Sequence, residues 1–198
     1  YKDLKTNQNH QTLIGPKARY LNRDRDYGDG SINQIKHLEA MGHLSGVPAL
    51  DQIELAFDFR EIEDANLEEL DDAIINRAAR DYLDINCAHC HNPTGIQGIS
   101  SQLFINYDIE EIYADRNWER HLGICKRPGS AGDVGNRHFD IVPGDPDDSI
   151  LLFRVESTTP GQMMPVIARS LEHREATALL REWILRMEPQ ACGVATEN

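Results

Sequence analysis

The chain of 198 residues is 40% hydrophobic and 27% charged, with a formal charge of −13. That size holds one domain with a real core, or a small domain and an arm. The acidic balance argues against nucleic acid, whose phosphates would be repelled, and suits a partner with a basic docking face, although solubility alone accounts for such a charge. No apolar run approaches the length that spans a bilayer. A start at Tyr1 without a signal-peptide pattern reads as a mature or partial chain.

Residues 1–30 are polar and turn-rich, punctuated by Gly15-Pro16, Gly28 and Gly30, and read as irregular. Asn22, Asp24, Asp26 and Asp29 faintly resemble a calcium loop. The register fails, because Tyr27 stands where glycine is required and Asn33 where glutamate is. Ser31 and Gln34 form a capping box for a short helix near 32–41, with Ile35, Leu38 and Met41 on one face and Gly42 as the stop. Residues 43–65 read as an extended linking arm. Asn66 and Glu69 then open a helix over 67–85, with Leu67, Leu70, Ile74, Ala78, Tyr82 and Ile85 recurring along one face. Asn92-Pro93-Thr94-Gly95 turns the chain away.

Leu103, Ile105 and Tyr107 alternate with polar residues and predict a short strand. Residues 120–146 are rich in Gly and Pro and read as loop. Asp148 or Ser149 caps a brief helix through Val155. Ser170 opens the last helix, whose apolar stripe is Ala176, Leu179, Leu180, Trp183, Ile184 and Met187. The stripe predicts that this helix lies across the 67–85 helix.

At the end of the 67–85 helix stands Cys87-Ala88-His89-Cys90-His91. Two thiols two residues apart, with histidine directly after the second, form the attachment signature of a c-type haem. Each thiol adds across one porphyrin vinyl group, and the histidine becomes the proximal iron ligand. A zinc knuckle would need a second ligand pair, and Cys125 and Cys192 stand alone. A thioredoxin-like pair would follow a strand, which is not what precedes Cys87. Covalent haem implies a periplasmic or extracellular location, and the two helices would close a pocket around a flat apolar cofactor. The Pro93 carbonyl is expected to take the proximal imidazole's Nδ1 proton.

The sixth ligand is expected from Met163-Met164-Pro165, in the loop before the last helix. Met164 is favoured because the following proline stiffens its loop, with Met163 as the alternative and core filling as the role of either one if neither ligates. His89 points away from the iron, and His10, His37, His43, His121, His138 and His173 have no spacing that builds a second site, though any of them could replace methionine. Arg127 and Arg154 are the cations expected near the haem propionates, with ordinary surface ion pairing as the alternative. Cys125 and Cys192 are expected to form a disulfide, or else remain two free thiols.

The stretch Tyr82-Leu83-Asp84-Ile85-Asn86-Cys87-Ala88-His89-Cys90-His91-Asn92-Pro93-x-Gly95 resembles the core signature of a bacterial family of two-haem c-type cytochromes. Upstream, Gly15-Pro16-Lys17-Ala18-Arg19-x-Leu21-Asn22, Asn33-Gln34 and Gly42-His43-Leu44 are similar to that family. Downstream, so are Gly123-Ile124-Cys125, Pro143-Gly144-Asp145-Pro146-x-x-Ser149-x-Leu151, Met164-Pro165 and Trp183-Ile184, so the resemblance covers nearly the whole chain. It implies haem attachment at Cys87 and Cys90, ligation by His91 and Met164, and electron transfer. The family usually carries an earlier Cys-x-x-Cys-His, and residues 1–14 contain no cysteine. Either that motif lies upstream or this member holds a single haem. A second haem would be wrapped by residues 1–60, with Met41 or His43 as its distal ligand.

The expected fold is mainly α. A cytochrome c-like haem domain over 62–198 carries a loop-rich insertion with short β strands, and an irregular or helical arm over 1–61 precedes it. The expected function is electron transfer between a redox donor and acceptor, with association to other cytochrome subunits open. Rival readings are a haem subunit of a redox enzyme, as a peroxidase or a dehydrogenase partner, and a structural subunit of an extracellular cytochrome assembly. A zinc or disulfide module without haem is the remaining one.

Overall fold

Residues 15–95, 102–114, 117–129 and 134–193 are described in the computed structural model. The chain divides into two compact units, one over Leu13–Asp58 and the other from Phe59 onward. Helix is the commoner regular structure in both, and the regular sheet among the described residues is one two-stranded hairpin.

In the first unit a short helix α1 (Ala18–Leu21) leads into strand β1 (Asp24–Asp26), which pairs antiparallel with β2 (Ser31–Asn33). Between them Asp26 accepts from the Gly28 amide at 2.8 Å, and Gly28 and Gly30 both take positive φ, which the turn requires. Helix α2 (Gln34–Ala40) follows, and its N-cap is Asn33, whose side chain accepts from the Ile35 amide. Ser31 is therefore a strand residue rather than the expected cap, because the hairpin claims it first. The segment after α2 is not a free arm either. Asn22 donates to the carbonyls of Leu50 (3.0 Å) and Ile53 (2.7 Å), and Arg23 donates to Ala56 and pairs with Asp58. These side chains satisfy carbonyls that an extended chain would leave to water, and Ile35 and Ala56 are buried in the unit.

In the second unit Asn66 caps a single 3-10 turn, Leu67–Glu69, with Glu69 accepting from its side chain at 2.8 Å. The long helix α3 starts only at Asp72 and runs to Asn86. The expected 67–85 helix is shorter: Arg186 takes the carbonyls of Leu67 (2.7 Å) and Leu70 (2.6 Å), and the Leu67 carbonyl otherwise accepts only the 3-10 bond from Leu70 N. With Leu67 and Leu70 outside the helix, its buried face turns. Ile75, Ala78, Ala79 and Leu83 are buried, whereas Ile74 and Ile85 are 38% and 45% exposed.

Helices α4 (Ile109–Ile112), α5 (Trp118–Leu122) and α6 (Ile150–Glu156) are short, and α7 (Arg174–Leu185) closes the unit. Ser149 sits at the N-cap position of α6, but its hydroxyl donates to Asp145 O at 2.8 Å and accepts from the Val142 amide. The last helix begins at Arg174, not Ser170. Its stripe of Ala176, Leu179, Leu180, Trp183 and Ile184 is buried, and it lies against α3, where Trp183 Nε1 donates to Asn76 at 2.9 Å. Each fully buried aliphatic side chain here contributes about 1.5–3 kcal/mol relative to exposure.

The expected strand at 103–107 does not form. Phe104, Ile105 and Asn106 are buried in succession, their amides and neighbours serving separate partners rather than a ladder. Phe104 N donates to His121 O, Ile105 N to His91 O, and Tyr107 N to the Asp84 carboxylate at 3.0 Å. Buried Arg80 completes the fastening through Tyr107 O and Glu110. Cys125 and Cys192 form a disulfide, tying the loop after α5 to the chain beyond α7. Closing a 67-residue separation contributes roughly 4 kcal/mol in the chain-entropy account.

Lys126 and Asp140 form a buried ion pair at 2.9 Å, with side chains 7% and 8% exposed. Lys126→Met should cost about 3–5 kcal/mol in urea unfolding because it leaves Asp140 without its cation, and the double variant Lys126→Met/Asp140→Leu should recover most of it. A single variant no worse than the double would refute this account of the pair.

Candidate functional site

The Cys-x-x-Cys-His motif follows directly on α3, with Cys87 at the helix's C-cap and a separate turn after it. Cys87 N donates to Leu83 O, and both Cys90 N (3.0 Å) and His91 N (2.9 Å) donate to Cys87 O. These two bonds close one turn from Cys87 to His91, which keeps the backbones of the three motif residues together. Both thiols are free and half-buried.

The turn beyond is closed tightly. Asn92 Nδ2 donates to Ala88 O at 2.6 Å, and its Oδ1 accepts from both the amide and hydroxyl of Thr94. Gly95 is required here, because a Cβ would stand 2.3 Å from the Cys90 carbonyl oxygen. Pro93 is exposed within this turn. The His91 carbonyl receives the Ile105 amide at 2.9 Å, so the segment fastened by Arg80 and Asp84 also fixes the backbone of His91.

Burial dominates the ionisation of the thiols. It pushes Cys87 up to about 12, with Cys90 and Asp84 adding and the Arg169 cation opposing. It raises Cys90 as well. Tyr82, one turn before the motif, is pushed to about 12, again by burial first and then by Cys87, against Arg169. The Tyr82 ring belongs to an aromatic group with Phe59 and His173, with centroids 5.2–6.0 Å apart.

Met163 and Met164 are both half-buried in the loop after α6. Met164 N donates to Arg154 O at 2.9 Å, and Met163 N to Thr159 O. The guanidinium of Arg169 donates to the carbonyls of Met164, Val155, Ser157 (2.9 Å) and Leu171 (3.0 Å). The cation that grips Met164 is thus the one felt by the Cys87 thiol and the Tyr82 hydroxyl.

The other expected cations have different surroundings. Arg127 is exposed and lies over the Phe139 ring at 5.8 Å. Arg154 donates to Gln162 O at 3.2 Å and acts on the buried Asp140 carboxyl, which burial raises and Lys126 lowers. Arg169 is the residue that sequence reading passes over, since an arginine in a polar loop looks solvated. Gly95 carried a signal as a turn residue, but not its contact with Cys90.

No family model, curated protein or solved structure matches this chain. Among the described residues, no group of three or more His, Cys, Asp or Glu converges as a metal site.

The Tyr82 shift has a pH consequence. A hydroxyl that ionises at about 12 in the folded chain and near 10 unfolded stabilises fully below pH 10, and that stability is lost as pH rises toward 12. Burial, the leading cause, persists whatever is bonded to Cys87. Tyr82→Phe should remove on the order of 1 kcal/mol of the decline in urea stability across that window, after discounting the ring's partial exposure. An unchanged slope would show that Tyr82 titrates normally.

Proposed function

We propose that this chain is an electron carrier of the c-type cytochrome kind, holding haem through thioethers at Cys87 and Cys90, with His91 and Met164 as axial ligands. The observation that carries the reading is that Arg169 both grips the Met164 carbonyl and acts on the Cys87 thiol. One cation is thus shared by the motif and by a loop about 75 residues away in sequence, which supports the reading.

The residues present fit such a group. Cys87 and Cys90 are free rather than disulfide-bonded and lie with His91 in one hydrogen-bonded turn. A dithiol catalyst would need an attacking thiol of lowered pKa, and burial drives Cys87 the other way. When bound, haem supplies storage of a single electron at iron, and a thioether ligand raises its potential while keeping substrates out.

The chain's own residues do the rest. The Asn92–Gly95 turn and the Ile105 amide hold the backbone of His91, which limits how the imidazole can move. The reading carries with it a cytochrome c-like fold for the second unit, kinship with the two-haem c-type cytochromes, a periplasmic or extracellular site of action, and a redox partner with a basic face. The formal charge of −13 supports the last of these.

Absorption spectra of the purified protein test the reading. Sharp reduced α and β bands, one haem per chain by pyridine haemochrome, and a weak oxidised near-infrared sulfur-to-iron band are expected. Met164→Ala should abolish that band and lower the reduction potential, and Met163→Ala should leave both in place. A high-spin oxidised spectrum that shifts on adding peroxide would favour the redox-enzyme subunit. Absence of a Soret band would refute covalent haem altogether.

A further inference from the structure

We propose that Arg169 is the positioning residue that fixes Met164 for iron ligation, by clamping the methionine's backbone to the last turn of α6. The proposal rests on the reading of Met164 as distal ligand and goes beyond it, assigning a role to a residue outside the motif and the ligand set.

The geometry is that of a fork. The last carbonyls of any helix lack intrahelical donors, and a cation there also meets the negative end of the helix dipole. Arg169 Nη2 takes Val155 O and Ser157 O at the end of α6, while Nη1 takes Met164 O and approaches Arg154 O at 3.5 Å. Its Nε donates to Leu171 O at 3.0 Å. The amide of Met164 meanwhile donates to Arg154 O. Both polar groups of the Met164 backbone are therefore referred to one helix turn.

That turn is anchored. Ile150, Leu151, Leu152 and Val155 of α6 are buried in the core. The residues that follow Met164 offer no such anchor, because Val166 and Ile167 are exposed and Leu171 is 79% exposed. Beyond the half-buried methionines, burial adds little to hold this loop, and the guanidinium supplies a fixed point. Lysine cannot substitute, because one compact ammonium does not span carbonyls on separate segments as a planar guanidinium does.

The test compares Arg169→Gln and Arg169→Lys with Arg186→Gln in the full haem-loaded chain. Arg186 makes a similar clamp elsewhere, on Leu67 and Leu70, so it controls for general loss of stability. Hydrogen exchange of the 158–168 peptide should quicken at least tenfold in both Arg169 variants and stay unchanged in Arg186→Gln. The oxidised near-infrared band should fall by more than half, and the reduced iron should bind carbon monoxide, in the Arg169 variants alone. Unchanged exchange with an intact band, in variants whose circular dichroism shows them folded, would overturn the proposal. An equal response from Arg186→Gln would overturn it too, by reducing the effect to stability. If the wild-type chain carries haem but lacks the near-infrared band, the ligand reading itself fails and the ligation role falls with it. Quickened loop exchange in Arg169→Gln would then mark that case as distinct from failure of the clamp.

Discussion

The packing of α7 across α3 is the constraint on which the second unit depends. Leu179, Leu180, Trp183 and Ile184 are buried with Ile75, Ala78, Ala79 and Leu83. At roughly 25 cal/mol per Å² of apolar surface removed from water, such a face outweighs the weak intrinsic preference of a fifteen-residue helix. Holding α3 fixes where it ends, and its end is the Cys-x-x-Cys-His turn. Arg186 and Trp183 add polar bonds from α7 to the start of α3. They set direction rather than supply most of the energy.

Buried charge in this chain serves position more than stability. Arg80 and Asp84 project from α3 and hold the 103–107 segment, whose Ile105 amide meets His91 O. Lys126 and Asp140 do a comparable job beside the disulfide, where Asp140 N also donates to Lys126 O at 2.7 Å. An apolar replacement of such pairs often leaves a protein as stable or more so. What it would lose is the aim of a backbone segment at one partner. The same logic holds at Arg169, where a guanidinium supplies a fixed point to a loop that burial does little to hold.

Much of the site was legible because its chemistry is local. The thiols and imidazole at 87–91 are adjacent in sequence, so residue identity and short spacing mark them without knowledge of neighbours. The α7 stripe was legible for the same reason, since a 3.6-residue period needs no knowledge of neighbours. The phase of α3 was not. Leu67 and Leu70 fit the period but lie outside the helix, and Arg186, more than a hundred residues on, takes their carbonyls. The alternation at Leu103, Ile105 and Tyr107 likewise suggested a strand, and among the described residues no neighbouring strand completes it.

By itself the sequence determined the covalent vocabulary of this protein: free thiols and a histidine on one turn, a further cysteine pair, methionines in a loop before an amphipathic helix. Those follow from residue identity and short spacing. Only the tertiary structure decided that Arg169 joins the methionine loop to the end of α6 and lies within electrostatic reach of Cys87. A guanidinium's partners are backbone carbonyls, which every residue carries, so nothing in the sequence marks which of them it will reach. The fold alone makes that choice.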